Sequence, residues 1–84
     1  MLQEFMKLRE QMAAEGKRFP SIKAFIALTG GEYEEREVQE SNRRVHYELY
    51  APNGIVLTYT HDLLTGEVTV QLWDGEEVIY SEEE

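Results

Sequence analysis

The chain has no cysteine in its 84 residues, which excludes disulfides and thiolate metal sites. It has no lysine or arginine after Arg44. No apolar run approaches the ~18 residues that a membrane-spanning helix needs, and the start lacks a basic segment followed by an apolar one. The expectation from these absences is a soluble cytoplasmic protein with no membrane contact. Histidine is scarce, with only His46 and His61. A metal site would need both to converge with a carboxylate such as Asp62, and no metal is expected. Gly30-Gly31 is not followed by the Lys and Ser/Thr of a phosphate loop. Ser21, Ser41 and Ser81 read as a cap, a turn and a strand end rather than nucleophiles. No catalytic residue, cofactor or enzymatic activity is expected.

What the chain does have is acid, unevenly placed. Residues 1–44 hold all 8 lysines and arginines against 8 acids. Residues 45–84 hold Glu48, Asp62, Glu67, Asp74, Glu76, Glu77, Glu82, Glu83 and Glu84 with no base, so the net charge of −9 sits there. Such a field repels nucleic acid and anionic membranes and attracts basic protein surfaces. It also favours solubility.

The length allows one domain, 1–84, that buries about 60–65% of the surface its unfolded chain exposes. Residues 1–31 read as a helical layer. Leu2 to Glu15 reads as a helix, and Leu8, Met12, Phe5, Leu2, Ala13 and Met6, with Met1, share one arc at helical spacing, with Arg9 at its edge. Gly16 supplies a stop. Ser21 stands where an N-cap belongs, before Ile22, Phe25, Ile26 and Leu28 on a second helix that Gly30-Gly31 ends. Two helices and a short connector could suggest DNA binding. The following segment carries Glu32, Glu34, Glu35, Glu37 and Glu40 against Arg36, the wrong sign for a phosphate-facing element.

Residues 32–81 read as an antiparallel sheet, and 82–84 as a disordered acidic tail. Tyr33–Glu40 fits a charged edge strand, which discourages edge-to-edge pairing. Val45, Tyr47 and Leu49 alternate with His46, Glu48 and Tyr50; Ile55, Leu57 and Tyr59 alternate with Val56, Thr58 and Thr60; Val68, Val70 and Leu72 alternate with Thr69, Gln71 and Trp73. Pro52-Asn53-Gly54, His61–Gly66 and Asp74-Gly75 provide turns, and Glu77–Ser81 provides the last strand. The predicted fold is α+β, with two N-terminal helices packed on one face of a four- to five-stranded antiparallel meander.

Strand parity sorts the side chains into two faces. Val45, Tyr47, Leu49, Ile55, Leu57, Tyr59, Val68, Val70, Leu72 and Ile79 form the expected core face. The opposite face carries His46, Glu48, Thr58, Thr60, Thr69 and Gln71, together with Tyr50, Val56, Trp73, Val78 and Tyr80. Apolar anchors within an acidic rim are the pattern of a binding patch. The expected partner-binding residues are Glu48, Tyr50, Val56, Trp73, Asp74, Glu76, Glu77, Val78 and Tyr80. The expected partner is a protein with a basic surface, or a second copy of the chain in a homodimer through the aromatic face.

In size, acidity and helix-before-sheet order, the chain resembles phage-encoded DNA-mimic inhibitors such as uracil-DNA glycosylase inhibitors and some anti-CRISPR proteins. That resemblance is one of type rather than of motif, and it carries over no site residue. It implies a small inhibitor presenting a DNA-like acidic surface to a basic nucleic-acid-binding protein.

Overall fold

A computed structural model describes residues 2–83, and of Glu37 the backbone alone. The chain divides into a helical unit, which ends at Glu32, and a sheet unit, which begins at Tyr33. The class is α+β, with both helices N-terminal to the sheet.

The helical unit consists of α1, Leu2–Ala14, and α2, Pro20–Thr29, packed against each other. Phe5 and Phe25 are fully buried. Both helices end the same way. Lys17 N–H donates to Met12 O and Gly16 N–H to Ala13 O; Gly31 N–H donates to Ile26 O and Gly30 N–H to Ala27 O. These are paired 6→1 and 5→2 bonds, and Gly16 and Gly30 take the positive φ, 74° and 68°, that the motif requires.

The start of α2 differs from the expectation. Ser21 is not the N-cap. Phe19 is, with a left-handed φ of 54°, and Pro20 occupies the first turn, where its fixed φ suits a helix and its missing N–H costs nothing. Ser21 lies one residue further in, fully buried, its Oγ without a hydrogen-bond partner among the described residues. The deepest stripe of α2 is therefore Ser21, Ala24 and Phe25, and Ile22, Ile26 and Leu28 flank it half-buried.

The sheet unit is a five-stranded antiparallel meander in sequence order: β1 Glu34–Glu40, β2 Arg44–Tyr50, β3 Ile55–Asp62, β4 Val68–Asp74 and β5 Glu77–Glu83. The charged segment before Ser41 is indeed an edge strand. The expected acidic tail is not a tail through Glu83: Glu82 pairs with Val70 and Glu83 with Thr69. Glu84 lies outside the described residues. The β2–β3 and β3–β4 registers are regular, and they match Leu49 to Leu57, Leu57 to Leu72 and Tyr59 to Val70. Ile55, Leu57, Val68, Val70 and Leu72 are buried, and they alternate with half-buried residues of the opposite parity.

Turn chemistry fixes these registers. Gly54, at φ 87°, donates its N–H to Ala51 O, and Asn53 Oδ1 accepts from Ile55 N–H. Asp62 Oδ1 accepts from the N–H groups of Leu64 and Thr65 and so organises the β3–β4 turn. Among the described residues, no helix is long and apolar enough to cross a membrane.

Candidate binding face

The face opposite Leu57 and Leu72 is built in rows, because each residue pairs straight across to its neighbours. One row runs Glu34, Tyr50, Val56, Trp73, Val78 over all five strands. The next runs Arg36, Glu48, Thr58, Gln71, Ser81. The third runs Gln39, His46, Thr60, Thr69, Glu83. The first row carries the large apolar groups, and the other two are polar.

The aromatic rings of the first row turn their polar tips toward the second. Trp73 Nε1–H donates to Thr58 Oγ1 at 3.0 Å, and Tyr50 O–H donates to Glu48 Oε1 at 2.7 Å. The other carboxylate oxygen of Glu48 lies 3.0 Å from His46 Nε2, and His46 Nδ1 lies 2.8 Å from Thr60 Oγ1. An ionised carboxylate only accepts, so Nε2 carries a proton; in the neutral ring Nδ1 then accepts from the Thr60 hydroxyl. Glu48 is deeply placed, with its side chain 16% exposed. On the edge strand, Arg36 pairs with Glu34 at 2.8 Å and stacks its guanidinium 4.6 Å above the Tyr50 ring. The guanidinium holds the Glu34 carboxyl below the usual carboxylate range, first through the hydrogen bond and then through charge.

Between the first two rows lies a hollow of about 230 Å³ lined by Glu48, Tyr50, Val56, Thr58, Trp73 and Gly75. Four of the nine residues singled out from the sequence therefore line one concavity. Val78 pairs with Trp73 on the same face and is 39% exposed. Glu76 lies in the adjoining turn, where Gly75 takes φ 64°.

Four residues change place. Tyr80 is not on this face. A bulge between Leu72 and Trp73 sets Trp73 opposite Val78 but Leu72 opposite Tyr80, so Tyr80 shares the parity of the buried Leu72 and bonds to Glu82 at 3.1 Å. Ile79, expected on the core face, is the extra residue of that bulge. Asp74 pairs with Ile55 and Glu77 with Asp74, which gives both the parity of the buried set rather than of the outer rim.

Strand parity puts His46, Thr58 and Thr60 outward but does not join them into a network, because parity gives a face and not a partner. Gly75 appeared only as a turn former. Arg36 carried a signal, as the single base in the Glu32–Glu40 run. His61 pairs with Val45 and Val68, so it lies on the opposite face from His46 and the two cannot converge. No group of potential metal ligands occurs among the described residues.

Thr60, His46 and Glu48 stand in the order hydroxyl, imidazole, carboxylate. Acyl transfer would also need donors aimed at an oxyanion. Both β2 and β3 are central strands, paired on either side except where the β1–β2 register skips Tyr47. The bonds from Tyr50 and to His46 hold Glu48 beside the hollow. No family model, curated protein or solved structure matches the chain.

Proposed function

We propose that the protein is a non-enzymatic binding module that contacts a basic protein surface through the outer face of its sheet. The observation that carries this reading is the row Tyr50, Val56, Trp73, Val78, which lines up large apolar groups across four strands on the face that also holds Glu48. Half-buried aromatics with a charged surround supply desolvated anchors, and the carboxylates supply attraction at range. A basic nucleic-acid-binding protein, the target of a small inhibitor, is the partner class that fits this charge.

Among the described residues after Val45, the acids do not form one phosphate-like row. Glu48 lies within the face, Asp62 and Glu67 flank the β3–β4 turn, and Asp74, Glu76 and Glu77 flank the β4–β5 turn. Those turns stand roughly 20 Å apart along seven-residue strands. The layout favours contact anchored on the aromatic row over imitation of a nucleic-acid backbone.

The test is capture of basic proteins on the immobilised chain, eluted by salt, alongside Trp73→Ala, which leaves the charge unchanged. Retention several-fold weaker for the variant is expected. Equal retention overturns the reading. Sedimentation at micromolar concentration separates the alternative: a dimer that Trp73→Ala dissociates would make the occupant of the face a second copy.

A further inference from the structure

We propose that the hollow bounded by Glu48, Tyr50, Val56, Thr58, Trp73 and Gly75 receives an arginine side chain of the partner, an assignment that rests on the protein-contact reading above. Its volume of about 230 Å³ falls below the ~300–1,000 Å³ of pockets that enclose whole drug-sized ligands, and so matches one side chain.

The lining selects for positive charge. Glu48 contributes a carboxylate that is largely withdrawn from water. One of its oxygens accepts from the Tyr50 hydroxyl and the other lies against His46 Nε2, which fixes the carboxylate beside the hollow. On this face, Glu34 lies at the same end of the sheet with Arg36 engaged by it, and Glu76 lies in the adjoining turn; Arg43 and Arg44 lie at the far end of β2.

The lining also selects for a planar cation. Trp73 and Tyr50 are two of the walls, and aromatic faces attract cations, indole most strongly. A guanidinium is flatter and less tightly hydrated than an ammonium, so it stacks at lower cost and still presents a fork of donors to a carboxylate. The chain itself shows the preference: Arg36 lies over Tyr50 at 4.6 Å, and Arg18 lies over Phe19 at 4.8 Å.

Trp73 is the sole tryptophan, so intrinsic fluorescence reads the hollow directly. The full chain is titrated with N-acetylarginine amide, and with N-acetylcitrulline amide as the uncharged isostere, at constant ionic strength. A saturable change is expected with the arginine probe, and binding about tenfold weaker is expected both for citrulline and for Glu48→Gln. Amide shifts of the unmodified protein, concentrated at residues 48, 50, 56, 58, 73 and 75, would support the assignment without any variant. Equal binding of citrulline, or an unchanged Glu48→Gln that circular dichroism shows folded, overturns it, as does no saturation in the millimolar range. Absent arginine binding with Trp73-dependent capture intact overturns the pocket alone. Arginine binding without such capture overturns the protein-contact reading.

Discussion

Trp73 and Thr58 sit diagonally across neighbouring central strands, and the indole N–H donates to the threonine hydroxyl at 3.0 Å. This bond sets the tilt of the largest side chain on the outer face. Replacing Trp73 with Phe removes the donor; replacing Thr58 with Val leaves the donor without its acceptor. A double-mutant cycle read by urea denaturation should give a coupling of about 0.5–1.5 kcal/mol. A coupling indistinguishable from zero would mean that the ring is held by packing alone.

Leu72 and Leu64 should respond in opposite ways to truncation. Leu72 is fully buried, whereas Leu64, in the β3–β4 turn, is 75% exposed. Leu72→Ala should cost about 2–5 kcal/mol, and Leu64→Ala should stay within about 0.5 kcal/mol of the parent. Comparable denaturation midpoints for the two variants would contradict the assigned faces.

The Glu34–Arg36 pair gives an acid-side prediction. The folded-state pKa of Glu34 is depressed, so its contribution is present above the ordinary carboxylate pKa and is lost as pH falls through the folded value. Arg36→Met should flatten that part of the stability curve. Because both groups are solvent-exposed, raising the salt concentration should shrink the difference. A salt-insensitive difference would point elsewhere.

Tyr47 gives the alkaline counterpart. Its hydroxyl donates to Glu40 at 2.8 Å, and that bond raises the phenol above its usual value, with burial and the charges of Glu40 and Glu35 adding to it. The stabilisation is full below the unfolded pKa and is lost as pH rises through the folded one. Ring resonances followed by NMR should show Tyr47 titrating later than a free tyrosine, and Glu40→Gln should bring it down. An unmoved midpoint in the variant would remove Glu40 as the cause.

The central strands were legible because polar residues interrupt the apolar ones. His46, Glu48, Thr58, Thr69 and Gln71 pin the parity of β2, β3 and β4, and all of them lie where period 2 places them. Val78, Ile79 and Tyr80 are three apolar residues in succession, with nothing to mark which one is supernumerary. The bulge therefore left no trace in the sequence, and Tyr80 was assigned to the wrong face. Ser21 failed for another reason. Serine before an apolar run signals a cap, but proline at the first helical position signals the same boundary one residue earlier. The hollow itself depends on register across three strands, which no local pattern contains.

The interruptions of the two outer ladders have a further consequence. One falls between Arg36 and Gln39 on β1, the other at Leu72/Trp73 against β5. A visiting peptide could join the sheet as a sixth strand only along β1 or β5. Each offers it a broken run of hydrogen-bonding groups and, at Glu34, Glu35, Glu40, Glu77 and Glu83, exposed carboxylates. These features disfavour growth by backbone addition at both edges, whether into a fibril or onto a guest strand. Under the binding-face proposal, recognition falls to side chains meeting the broad surface, where specificity depends on what protrudes from the visitor rather than on its main chain.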